Sequence, residues 1–229
     1  MPTIPGQPPV EITLRRSARS RRFSLRVSQL DGRVTLSMPL RAREAEAMDF
    51  ARSHESWLRA ALARRPAHAL VTMGDQIPVE GRLLTLAPGT ARSPQIEGDL
   101  LLLPGDPAQA AARTAAYLKT LARDRLAAAS DHYAHLINRQ ASRLTLRDTR
   151  SRWGSCAHDG SLMYSWRLVM APPEVLTYVA AHEVAHMVEM NHSDAFWAVV
   201  TRLYPNWQTQ RKWLHTHGKD LHAYQFMSS

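Results

Sequence analysis

The sequence predicts an α+β fold, and three observations carry that reading. Short alternating apolar runs, punctuated by Gly and Pro, fill most of residues 11–104. A long Ala-rich stretch opens at Asp106-Pro107 and runs past His135. The last third brings apolar segments of helical length, the first opened by Pro172-Pro173. With 229 residues, 45% of them hydrophobic, the chain can bury one large core or two small ones. We divide it into a disordered lead-in (1–10), a β-rich N-terminal part with one helix (11–104) and a C-terminal part (105–229).

The lead-in holds four prolines in ten residues, a composition that favours disorder. Next, "VEITLRRSARSRRFSLRVSQLDGRVTLSMP" alternates apolar and polar residues around Asp31-Gly32, a hairpin signal. Its arginines (Arg15, Arg16, Arg19, Arg21, Arg22 and Arg26) suit phosphate contacts, or else the solvent face and turn of an edge hairpin. Residues from Ala42 to Arg64 lack Gly and Pro and predict one helix. Residues 70–103 return to small strands with tight turns. The long helix follows, with Asp106 as N-cap and Pro107 at its first position; His132 and His135 near its end complement the helix dipole. "RLTLRDTRSRWGSCAHDGSLMYSWRLVMAP" predicts two strands around a turn at Asp159-Gly160. Three helices complete the chain: one after Pro172-Pro173, one over "SDAFWAVVTRLY" and a short one ended by Gly218. No internal repeat is visible.

Basic residues outnumber acidic ones 29 to 20, a net charge of +9. That balance suits an anionic partner, nucleic acid above all. The plainer reading, an Arg-rich soluble protein, is preferred, because no lysine run or known nucleic-acid motif appears. Cys156 is the only cysteine, which excludes an internal disulfide and a paired-Cys zinc finger and fits a reducing compartment. The N-terminus has no apolar signal region, and no run approaches the ~20 apolar residues of a membrane span. The expected location is the cytoplasm.

The chemistry concentrates in "AAHEVAHMVEMNHSDAF", residues 180–196. His182 and His186 stand four apart on a predicted helix, ~40° apart around the axis and ~6 Å along it, so both imidazoles can converge on one ion. Two nitrogens are too few for a catalytic zinc, which takes three protein ligands and a water. His192 is the expected third ligand, provided the helix breaks first; Asn191 suits a left-handed C-cap there, and Ser193 or Asp194 an N-cap for the next helix. Glu189 competes: seven residues after His182 it shares that ligand's face, but it lies ~4.5 Å beyond His186 along the axis. It is instead a candidate to support a ligand imidazole, or else a plain surface glutamate. Zn²⁺ held by His182, His186 and His192 lowers the pKa of a bound water to about 7. Glu183, beside the ion, is the expected catalytic base, passing a proton from that water to a leaving amine. That is peptide-bond hydrolysis.

These residues also carry a resemblance. "SRWGSC" (151–156), "RLVMAPPEVLTYVAAHEVAHMVEMNHSDAFW" (167–197) and the Pro205-to-Trp207 step are similar to the YgjP-like zinc metallopeptidases, as is the start around "LRRSARSRRFSLRV" and "DGRVTLSMP". The likeness spans nearly the whole chain and is sharpest in the last third. The H-E-x-x-H-x5-H spacing is also similar to SprT-like proteases. The resemblance implies a small zincin-like metallopeptidase domain, one zinc on His182, His186 and His192, and a catalytic Glu183. It implies a protein or peptide substrate without defining it. Metzincins share the spacing but place Gly where this chain has Glu189. One departure from the YgjP-like pattern is "YSWRL", which has Ser165 near the place of an expected Asn.

Cys156 is read as a packing residue ahead of a fourth ligand, with Arg152 and Trp153 supporting the neighbouring turn. His158, His215, His217 and His222 are expected on the surface, without a role. The competing function is a nucleic-acid-associated zinc module, with the basic N-terminal half on DNA or RNA; the two readings meet in a protease acting on DNA-bound proteins.

Overall fold

A computed structural model describes residues 1–28, 32–63 and 70–226. The chain divides into two compact units, Met1–Ala67 and His68–Ser229. The observed class is α+β, with three sheets and six α-helices among the described residues. None of those helices is long and apolar enough to cross a membrane.

The first unit is a four-stranded sheet with two helices. Strands β1 (Thr3–Ile4), β2 (Val10–Arg16), β3 (Ser24–Val27) and β4 (Val34–Met38) lie in the order β1-β2-β4-β3. β2 and β4 run parallel; the other neighbours are antiparallel. Alternation sends Ile12, Leu36 and Met38 to one face, where they are buried with Ala47, Ala51 and Leu58 of helices α1 (Glu44–Ser53) and α2 (Glu55–Ala63). The hairpin expected around Asp31-Gly32 is the β3–β4 pair; Asp31 lies outside the described residues.

Two expectations fail here. The lead-in is not disordered: Thr3 and Ile4 pair with Glu11 and Val10, and Ile4 is buried in the core. The Arg59 guanidinium also donates to the carbonyls of Pro5 and Pro8, at 2.9 and 3.0 Å. One core isoleucine and two charge-assisted bonds outweigh a proline-rich composition. The single helix over 42–64 is instead two, broken at His54 (Arg64 lies outside the described residues). The Ser53 hydroxyl and His54 Nδ1 both meet the Phe50 carbonyl, at 2.9 and 2.8 Å, and so compete with the backbone for it.

The second unit opens with β5 (Gln76–Val79), β6 (Arg82–Gly89), β7 (Gln95–Glu97) and β8 (Leu100–Pro104), in the order β5-β6-β8-β7. β6 and β8 are parallel and the rest antiparallel, the same pattern as in the first sheet. The expected boundary at 104/105 therefore falls in the wrong place. Ile77, Leu84, Leu86, Leu101 and Leu103 share one core with helix α3 (Ala110–Leu136) and with everything after it. The Asp106 carboxylate caps the approach to α3, accepting from the Ala108 amide at 2.9 Å.

Three strands follow where two were expected: β9 (Arg143–Arg147), β10 (Gly154–Cys156) and β11 (Ser161–Ser165), in the order β10-β11-β9. β10 and β11 make the hairpin at Asp159-Gly160, with Asp159 accepting from the Ser161 amide and hydroxyl. Helices α4 (Pro173–Ala185), α5 (Asp194–Leu203) and α6 (Trp207–His217) complete the unit. α4 is buried nearly all round, from Val175 to Ala185, as a helix apolar on every side must be.

Candidate metal centre

α4 ends at Ala185, one residue before the second histidine of the motif. His186 keeps helical angles as the C-cap, and a turn then carries the chain to α5. Asn191 does not take the expected left-handed conformation; only Glu80 and Asn138 do so among the described non-glycine residues. Its side chain accepts from the Ser193 amide at 3.0 Å, and Ser193 caps α5. This early break brings His192 back to the helix.

His182, His186 and His192 form a cluster whose ligand atoms all lie within 4.8 Å of one another. The Nε2 atoms of His182 and His192 are 3.1 Å apart. Two nitrogens bound tetrahedrally at ~2.0–2.1 Å lie ~3.3 Å apart, so the donor set fits a zinc ion. His186 Nδ1 meets the backbone carbonyl of Glu189 at 3.0 Å, which leaves Nε2 for the metal. The support assigned to the Glu189 side chain thus comes from its main chain. His182 Nδ1 is buried without a hydrogen-bond partner among the described residues. Burial is also the largest influence on its basicity: it and the two neighbouring imidazoles push His182 down to about 3. Burial lowers His186 as well. Neutral imidazoles are the form a metal binds. His192 is exposed, so the cluster opens to solvent on one side.

Phe196 organises these rings. It is fully buried, stacks on His186 at 4.4 Å and meets His182 and His192 edge-on at 4.9 and 4.8 Å. Nothing in the sequence distinguished it from another core aromatic of α5.

Glu183 is buried, 6% exposed, and lines a cleft of about 650 Å³ with the three histidines, β10 and Tyr178. Its carboxylate accepts no hydrogen bond among the described residues. Burial pushes it up to about 8, opposed by the Arg152 charge. Gly154 makes its position possible: a Cβ there would meet the Glu183 Cγ and Oε1 at 2.6 Å. The glycine inside "RWGSC" was the available signal, since a strand glycine often marks close approach of another group.

Other expectations divide. Cys156 lines the cleft, half-buried, outside the histidine cluster; burial pushes its thiol up to about 11. The Arg152 carbonyl accepts from the Thr149 hydroxyl at 2.8 Å and so holds the turn. His158, His215 and His217 are exposed as expected. His222 is not: it is buried, its ring 5.2 Å from Trp153.

A family model described as YgjP-like, metallopeptidase domain, matches residues 21–217. The chain belongs to the YgjP-like metallopeptidase family. Membership makes it a peptidase at the level of the family, and the family implies a metal ion. Among solved structures, this YgjP-like chain is similar to the metallopeptidase zymogen abylysin of Pyrococcus abyssi, at 16% identity and a TM-score of 0.37, over 44% of this chain and 98% of that one. No curated protein sequence matches it.

Proposed function

We propose that the protein is an HExxH-type zinc peptidase, with His182, His186 and His192 as ligands and Glu183 as general base. The observation that carries this is the convergence of three imidazoles beside a buried carboxylate that accepts no hydrogen bond among the described residues. When bound, zinc supplies Lewis acidity, bringing the pKa of a coordinated water to about 7. Glu183 would take a proton from the attacking water as the water oxygen bonds the peptide carbonyl carbon. The same carboxylate returns the proton to the amine nitrogen as the C–N bond breaks. A cation beside Glu183 favours its ionised form, the form a base needs. The cleft along β10 offers room for a protein or peptide substrate. A single cysteine suits a reducing, cytoplasmic setting.

Three variants and a metal assay test this. Glu183→Gln is expected to retain about one zinc per chain and to lose roughly 10²–10⁴-fold in hydrolysis of an unfolded protein, the usual worth of a general base. His192→Ala is expected to lose tight zinc binding and activity together. Glu189→Ala is expected to keep both, because the contact to His186 uses a main-chain carbonyl. Zinc retained by His192→Ala and lost by Glu189→Ala redraws the ligand set as two histidines and a glutamate.

A further inference from the structure

The charge of the molecule is concentrated in its first unit. Residues 1–67 carry 13 arginines, no lysine and 6 carboxylates; the rest of the chain carries 16 basic and 14 acidic residues. Between Ile12 and Leu30 there are six arginines and no carboxylate.

The sheet register places part of this charge on one face. Arg15 and Ser24 both pair with Ser37, and Thr13 and Arg26 both pair with Thr35. Side chains directly across a sheet share a face, as do residues two apart on a strand. Arg15, Arg26, Thr13, Thr35, Ser24 and Ser37 therefore lie together, opposite the buried Ile12 and Leu36, with Glu11 the one carboxylate on that face, at the start of β2. Both arginines are exposed. Arg19, Arg21 and Arg22, also exposed, lie in the β2–β3 connection. None of these five makes a side-chain ion pair among the described residues, whereas Arg16 is occupied by the Leu40 and Ala42 carbonyls and Glu44. The β5–β8 sheet has the same topology, yet its corresponding face mixes Pro78, Ala87 and leucines with Gln76, Thr85, Gln95 and the acidic Glu97, without a cation. The topology does not require the arginines.

We propose that the open face of the β1–β4 sheet, with the arginines of the β2–β3 connection, binds the phosphate backbone of nucleic acid. Arginine forks match phosphate oxygens two at a time, and serine and threonine hydroxyls add donors between them. The face carries no aromatic side chain on which a base could stack, so it holds the backbone without reading sequence. This goes beyond the peptidase reading and stands whether or not the protein cleaves.

The test uses the full chain and labelled DNA and RNA of about 30 nucleotides, single- and double-stranded, with a polyglutamate peptide of similar charge as the competing polyanion. Four phosphate contacts predict a loss of roughly 100-fold in affinity between about 50 and 200 mM salt. Arg15→Gln/Arg21→Gln/Arg22→Gln/Arg26→Gln should weaken binding at least about tenfold and flatten the salt slope by about three to four. A charge-matched variant, Arg82→Gln/Lys119→Gln/Arg123→Gln/Arg147→Gln, should bind as the parent does. Glu183→Gln should bind normally too, which separates this result from failure of the peptidase reading. Equal loss in the two charge-matched variants, tighter binding of polyglutamate than of nucleic acid, or no binding at low salt overturns the proposal. Preference between DNA and RNA of one length identifies the source of the phosphate.

Discussion

The β1–β4 and β5–β8 sheets share strand order and direction and differ on one face. Their buried faces are interchangeable in kind: Ile12, Val34 and Leu36 in one, Ile77, Leu84 and Leu101 in the other. Their open faces are not, since arginines and hydroxyls dominate the first while the second has no cation and mixes leucine, proline and alanine with Gln76, Thr85, Gln95 and Glu97. A core face is fixed by packing, whereas an open face is free to carry charge at little cost in stability. The histidine cluster lies at the other extreme, with its chemistry on a helix buried nearly all round. Substitutions there should disturb neighbours, and substitutions on the arginine face should not.

The largest difference is expected at Phe196. Its ring is fully buried and contacts all three imidazoles. Phe196→Ala should cost about 3–5 kcal/mol, the range for a buried aromatic cut to Ala, and should weaken zinc binding because the rings lose their common wall. A single Arg15→Gln or Arg26→Gln should change stability by less than about 0.5 kcal/mol. Urea melts of the metal-free variants compare the two regions. A loss at Phe196 no larger than at Arg15 breaks the contrast.

Gly154 comes next. A methyl group at 2.6 Å from Glu183 has no room in β10, and the carboxylate must shift. Displacement of a catalytic group by about 1 Å costs up to roughly 100-fold in rate. Gly154→Ala should therefore lose that much in kcat while keeping its zinc, because the proposed ligands are elsewhere. Full activity in the metal-loaded variant would place the base on another residue.

How much of this was legible depended on the kind of signal. His182, Glu183 and His186 announce themselves as candidates by spacing, and His192 as a candidate third ligand by the need for one; the structure brings the three histidines together. Helix and strand types followed from apolar period and from turn pairs such as Asp159-Gly160. What stayed hidden was set by contacts between distant segments. Arg59 reaches the carbonyls of Pro5 and Pro8 across some fifty residues, so the lead-in's order was invisible to composition. The shared core of β5–β8 and α3 moved the boundary between units from 104 to 67 for the same reason. The repeated sheet topology left no mark because its open faces diverged. The Glu189 carbonyl contact could not be found either, since every residue has a carbonyl and only the break at His186 aims this one.

The smallest effect is expected at Cys156, and it bears on whether the site has a fourth protein ligand. The thiol lines the cleft but lies outside the histidine cluster, and burial, then the Glu183 and Asp159 charges, push it up to about 11. Only a thiolate attacks an alkylating agent. Against an ordinary value of 9.0, a thiol at about 11 carries roughly 100-fold less thiolate at pH 8. Alkylation by iodoacetamide should be slower than for a free cysteine by that factor and should speed up as pH rises toward 11. A coordinating thiol behaves differently, because the metal deprotonates and shields it. The rate should therefore be the same with zinc bound and with zinc removed by a chelator. Protection that appears only with zinc makes Cys156 a ligand, closes the position a water needs, and turns the centre from a catalytic site into a structural one.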